Sequence, residues 1–521
     1  MHSNRKIYIA FFFLLVLSAV IRAFIAGFIE LGNDEVYYWT YAKFPAFSHF
    51  DHPPMVGLVI QLFTLNLAFD SEFFIRLAAV VFGTLSTFMM FLIGSQIKNP
   101  LTGLYAALLY TASFYGFILC GTFILPDSPQ VFFWLLTILF LLKSLPDRNL
   151  LPKSRRFLLL AGVAAGMAML SKYHSVFLVT GAFFYIILYN RRWFRATETY
   201  IALLIFILLC LPVAWWNYDN NFISFSFHEN RIGITSSGLQ PKYFFTEIAG
   251  EFFYNNPINV VIIIISLIAL IRRRSFLGTG SKHILIWVSV PLVLVFMSFS
   301  LFRSTLPHWT GPGYLGFMLI AAAYLSEPSH RGSKLCLVPL PLVFALAFVM
   351  IIAVTAVAQI RYGVVPLSRW KIRDFSHDLS GWRQLGEKFA PVAKRDQSSG
   401  TMGRSAPVIT FRWFPAANLD YYVASKLNLP VYAIGSLERI HKYYWINNIH
   451  GTLKQGTNAY YIALSDDYED PVALYGELFD TITPPDTITL TRGRDTIRKA
   501  FVYRLMDLKK EMTFPITKTS R

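Results

Sequence analysis

Cysteine is nearly absent. The chain has 521 residues and three cysteines, Cys120, Cys210 and Cys336, each in or beside an apolar run. None lies in the polar C-terminal part, which argues against a disulfide framework, and nothing in their spacing suggests a cysteine metal site. Charge is scarce too. Asp, Glu, Lys and Arg make up 15% of the residues, against 55% hydrophobic residues, and the mean hydropathy is +0.47. A soluble chain of this size would expose too much apolar surface, so the composition indicates a polytopic membrane protein. Internal repeats and low-complexity tracts are missing, which weakens the case for a transporter built from inverted halves. The formal net charge is +17. Its Lys and Arg residues sit in short loops between apolar runs rather than on one polar face, so no nucleic-acid partner is expected.

What is present is a succession of apolar runs, at roughly 7–29, 72–97, 101–119, 128–145, 157–171, 174–190, 197–216, 257–271, 282–301, 309–325 and 335–360. A hydrocarbon core about 30 Å thick needs about 20 apolar residues per helix, so these predict about eleven spans. The run 55–69, bracketed by Pro-Pro and Asp-Ser-Glu, is read as an interfacial or re-entrant helix. The first run is long for a signal peptide and lacks a clear small-residue cleavage site. It reads as a retained helix with Arg5 and Lys6 inside.

With the N-terminus inside, the loops at Lys98, 143–156, 190–195, 272–282 and 329–334 are all basic, whereas the first outer loop is rich in Asp and Glu. After residue 361 the texture changes: charges, Gly and Ser become common and no long apolar run remains. The expected division is a transmembrane catalytic domain at 1–360 and an outer α/β domain at 361–521. In that tail 406–411, 430–435 and 458–464 read as strands, 419–427 as a helix, and the ITLTRG and AFVYRL segments as a closing hairpin.

This topology gathers unusual polar clusters on the outer side. The first loop carries Asp34, Glu35, Asp51 and His52; Asp127 follows the third span. Lys172, Tyr173 and His174 lie between the fifth and sixth spans. His228, Glu229 and Arg231 follow the seventh, and Arg303, His308 and Trp309 the ninth. Arg and Lys suit a phosphate, and carboxylates suit a base or a metal ligand. Plainer roles are open for each. The rings suit an aromatic belt, Asp127 a helix cap, Lys172 a snorkelling contact, and the histidines structural positions. Their convergence on one side points to an outward-facing cavity for a phosphate-bearing lipid donor.

The ordered set DEVYYW (34–39), HFDHPPM (49–55), LPDSPQVFFW (125–134) and SKYHS (171–175) resembles the dolichyl-phosphate-mannose protein mannosyltransferase superfamily. It is more closely similar to the bacterial branch that includes the lipid A aminoarabinose transferase. The resemblance covers roughly residues 1–330. It implies a C-type glycosyltransferase fold in the bacterial inner membrane, with its active-site loops on the periplasmic side. The implied donor is a polyprenyl-phosphate sugar, and the acceptor a protein, lipid A or another glycan. By resemblance Asp34, with Glu35 beside it, is the catalytic acid position acting on the acceptor, and Asp127 the second acidic position. Lys172 and Arg231 contact the donor phosphate, with Tyr173, Arg303 and His308 as further substrate contacts. Asp51 and His228 hold a divalent metal ion. His52 replaces a lysine of the lipid A enzymes and would bind phosphate as an imidazolium or join the metal.

The expected reaction is inverting transfer of a sugar from the lipid phosphate. Two other classes share parts of this pattern: a transporter or flippase for polyprenyl-linked glycans, for which the in-span charge Arg22 is the main support, and a polymerase or ligase using lipid diphosphate donors.

Overall fold

A computed structural model describes residues 2–232, 238–272, 276–328, 337–365, 367, 374–493 and 495–514. Helices occupy every apolar run expected to be one. They include His2–Phe28, Glu72–Ile97, Asp127–Ser144, Pro152–Ser171, Val176–Tyr189, Thr197–Asp219, Thr279–Ser300, Gly311–Leu325 and Leu340–Tyr362. Among the described residues six helices are long and apolar enough to cross a membrane. The pair Pro241–Tyr254 and Pro257–Ile271, bent by 101°, makes up to seven if counted as one span. That is fewer than the eleven expected. The helices Asp127–Ser144 and Gly311–Leu325 have only 18 and 15 residues, and the run at 101–119 is split into Pro100–Thr111 and a π-turn at Tyr115–Leu119. The chain is a multi-pass membrane protein by these helices. The run after Pro54 forms only a nine-residue helix, Met55–Phe63, too short to span.

The chain divides into two compact units. The first comprises 1–27, 46–48 and 52–353. Its interior is built from side chains facing between helices. Trp134, Trp193, Tyr110 and Tyr115 are fully buried there, as are Arg22 and Arg76. Each arginine lies over a ring, Arg22 over Phe117 and Arg76 over Phe123. Each also donates a hydrogen bond, to Thr87 Oγ1 at 3.3 Å and to the Ala26 carbonyl at 3.0 Å. Arg22 thus packs inside the helical unit.

The second unit comprises 28–45, 49–51 and 354–521. Its strands are β1 (Val408–Thr410), β2 (Val431–Ala433), β3 (Ala459–Leu464), β4 (Phe479–Ile482), β5 (Asp486–Arg492) and β6 (Asp495–Leu508). The sheet order is β2-β1-β3-β6-β4, with β5 paired to β6. The three strands β2, β1 and β3 run parallel, and all their residues are buried. They read as continuous apolar runs, as strands covered on both faces must. The hairpin β5–β6 turns at Gly493, whose φ of +62° is the left-handed conformation that glycine adopts without strain. The segment expected as a helix at 419–427 is a π-turn, Asp420–Ala424, followed by a 3₁₀ turn, Ser425–Leu427.

Much of the first polar loop, 28–45 and 49–51, folds as part of this second unit. The Glu30 carboxylate accepts from the Trp382 amide at 2.8 Å, and the Leu31 amide donates to the Tyr422 hydroxyl at 2.7 Å. Lys43 pairs with Asp420 at 2.8 Å. Burial pushes the Glu30 carboxyl above its ordinary value, against the pull of the Trp382 amide.

Candidate active site

The candidate residues fall into two polar clusters, one in each unit. In the first, the centre is a buried ion pair. Lys172 Nζ lies 2.7 Å from Asp127 Oδ2, and both side chains are about 4% or less exposed. Tyr115 donates its hydroxyl to Asp127 Oδ1 at 3.1 Å. Pro126, not Asp127, is the N-cap of the helix, and no side-chain cap bond forms there. Asp127 therefore stands at the first turn with its carboxylate turned to a tyrosine and a lysine. Lys172 is buried and paired rather than reaching to lipid headgroups.

Histidines surround this pair. The Asp127 carboxylate is within electrostatic reach of His308 and His52. The His52 and His228 rings are 6.3 Å apart, and Tyr173 meets His228 edge-on at 5.4 Å. Tyr173 is also 3.4 Å from the Ser48 hydroxyl. His174 packs on Trp309 at 5.7 Å. Thus Asp127, Lys172, Tyr173, His52, His228 and His308 gather, although they come from five separate stretches of sequence. Arg303 is partly buried just past the helix Thr279–Ser300. The backbone of Arg231 ends the helix Ile223–Ile232, and its side chain lies outside the described residues.

Tyr115 was not singled out by the sequence. It sits on the π-turn that interrupts an apolar run, and such turns recur at functional sites. Its ring fits because residue 311 is glycine. A Cβ there would lie 2.3 Å from the Tyr115 ring, so the hydrogen bond to Asp127 depends on that missing side chain.

The second unit holds the other acids. Asp34 and Glu35 open the helix Asn33–Lys43. Asp34 is exposed in the first turn, whereas Glu35 is buried and accepts from the Gly32 amide at 2.8 Å, a capping role. Asp51 Oδ1 accepts two phenols, Tyr37 at 3.0 Å and Tyr41 in a shorter contact. Burial, followed by the Asp51 charge, raises both tyrosines well above their ordinary value, so they stay protonated donors. Beside them Lys442 is buried, donating to the Phe44 carbonyl at 2.6 Å and lying 3.0 Å from His49 Nδ1. Burial lowers Lys442 well below its ordinary value, against the opposing pull of Asp51. Lys442 lies in the tail, where no motif marked it. Among the described residues no three His, Cys, Asp or Glu side chains gather to hold a metal ion.

Known proteins share this architecture. A profile of the family described as dolichyl-phosphate-mannose-protein mannosyltransferase matches residues 51–216. The crystal structure of ArnT from Cupriavidus metallidurans bound to undecaprenyl phosphate is similar with a TM-score of 0.59. That match has 15% identity and covers 94% of this chain and 97% of that one. The apo structure of the same protein gives 0.58 at 16% identity, with the same coverage. The lipid A galacturonosyltransferase RgtD of Rhizobium johnstonii is 24% identical over 311 residues, 58% of this chain. The chain spans about 62% of the length of that relative. These likenesses show a fold shared with ArnT and, over residues 51–216, a similarity to the dolichyl-phosphate-mannose-protein mannosyltransferase family.

Proposed function

We propose that this protein is a membrane glycosyltransferase that moves a sugar from a polyprenyl-phosphate donor to an acceptor on a protein, lipid A or another glycan. The observation that carries the reading is the buried Asp127–Lys172 pair with Tyr115, His52, His228 and His308 around it, inside a unit of apolar helices. A buried ion pair is a poor way to gain stability, since desolvation offsets most of its attraction. Its retention supports a role in handling charge. The ArnT likeness, to a protein solved with undecaprenyl phosphate, supports the donor class.

In this reading the acceptor oxygen attacks the anomeric carbon from the side opposite the phosphate. The bond between that carbon and the phosphate oxygen breaks, and the polyprenyl phosphate leaves as an anion. The acceptor proton passes to Asp34, whose exposed position at a helix start suits contact with a substrate. Lys172, with Arg231 and Arg303, stabilises the leaving phosphate. Asp127 holds Lys172 in place, and Glu35 fixes the helix that presents Asp34. The same reading puts the reaction, as a proposal, at the periplasmic face of an inner membrane. A requirement for a divalent cation is a separate proposal, checked by assaying after chelation.

The test is turnover by Asp34→Asn. Transfer should fall by about 10²–10⁴-fold, the range for removing a positioned base, with membrane insertion and melting temperature unchanged. Turnover at the parental rate would remove Asp34 from the reaction.

A further inference from the structure

The parallel part of the sheet has a feature the transfer reading does not use. From β1 the chain passes to β2 on one side, then returns across the sheet to β3 on the other side of β1. The connections at β1 therefore diverge. In open parallel sheets the crevice beyond the carboxyl ends of two strands that part in this way is where ligands bind. A cavity of about 330 Å³ lies there, lined by Arg412, Trp413 and Phe414 after β1 and by Asp466 and Asp467 after β3. Asp378 completes the wall.

The lining has a definite chemistry. Arg412 pairs with Asp467. The pair leaves Arg412 Nε and Asp467 Oδ2 buried without a hydrogen-bond partner among the described residues. Asp466 is exposed, 3.8 Å from Arg498 Nη1, and the Arg498 side chain is 1% exposed. Trp413 is partly exposed, with His441 stacked at 5.5 Å and 19°. Three lining carboxylates, Asp378, Asp466 and Asp467, outnumber the lining Arg412 and the Arg498 guanidinium beside Asp466, which disfavours a phosphate or a uronate. Carboxylates and a guanidinium together accept from and donate to hydroxyl groups, and an aromatic ring offers an apolar face for the C–H side of a pyranose.

We infer that this cavity binds a neutral, hydroxyl-bearing saccharide. Trp413 also packs on Tyr37 at 5.0 Å, on the helix that begins beside Asp34. As part of an acceptor glycan, a role that rests on the transfer reading, the bound sugar would be seated next to that helix.

The experiment is calorimetric titration of the purified full chain, in a detergent without a sugar head group, with maltose, chitobiose and glucose 1-phosphate. No donor is present. Saturable binding of a neutral disaccharide is expected, weakened about tenfold or more by Asp466→Asn and by Trp413→Ala, with glucose 1-phosphate weaker than either disaccharide. Asp466 is exposed, so Asp466→Asn carries the test if Trp413→Ala fails to fold. Absence of saturable binding, affinity unchanged in the variants, or preference for the phosphate would each overturn the inference. A chain that binds the disaccharide yet transfers no sugar contradicts the transfer reading alone. One that transfers without binding it contradicts this inference alone.

Discussion

At the scale of residues, the strongest constraint is the charge pair at Asp127. Removing one partner of a buried pair leaves an uncompensated charge, so Lys172→Met should cost about 3–5 kcal/mol of stability. Asp127→Asn with Lys172→Met removes both charges and should recover much of that loss in a thermal melt, while transfer stays absent. Recovery of transfer along with stability would show the pair to be structural. Asp127 and Lys172 were legible because a charged residue at an apolar boundary is conspicuous. Tyr115 was not, because a tyrosine in an apolar run reads as one more ring. Glu35 has a structural contact that its sequence neighbours do not announce. Beside Asp34 it looks like half of a catalytic couple, yet its carboxylate closes the helix start at the Gly32 amide.

At the scale of elements, the apolar runs and the three parallel strands could be read from pattern alone. Hydrophobic periodicity is a local property and survives without knowledge of the fold. The strand β4 escaped because FDTI is short and its two middle residues are exposed. The π-turn at 420–424 escaped because local propensity there favours an ordinary helix. Two predictions belong at this level. Gly311→Ala drives a methyl into the Tyr115 ring and should cost about 1–3 kcal/mol through overpacking, read as a lowered melting temperature. In the tail, hydrogen bonds from Arg504 and Arg395 hold the Asp486 carboxyl below its ordinary value of 3.8. A carboxyl lowered by folding adds stability above its unfolded value and loses it as pH falls through the folded one. The melting temperature should therefore drop on acidification below about pH 4, and Asp486→Asn should flatten that part of the drop. An identical acid profile in the variant would detach Asp486 from it.

At the scale of the whole molecule, the sequence placed the first polar loop with the helical part. The compact unit that contains the tail also takes in 28–45 and 49–51. Nothing local announces this, since the contacts join Glu30 to Trp382, Leu31 to Tyr422 and Lys43 to Asp420 across more than 350 residues. The tail is therefore the scaffold on which the Asp34 helix is built. A chain cut after residue 353 should insert its apolar helices yet lack transfer, because Asp34 would lose the partners that order its helix. The most direct measurement uses purified full-length protein in lipid nanodiscs, with a polyprenyl-phosphate sugar labelled in the sugar, and membranes as the source of acceptor. The account predicts that label becomes covalently attached to acceptor as free polyprenyl phosphate is released in equal amount, and that Asp34→Asn stops both. Label that stays on the polyprenyl phosphate, or that merely changes leaflet when the protein is placed in sealed vesicles, would contradict it.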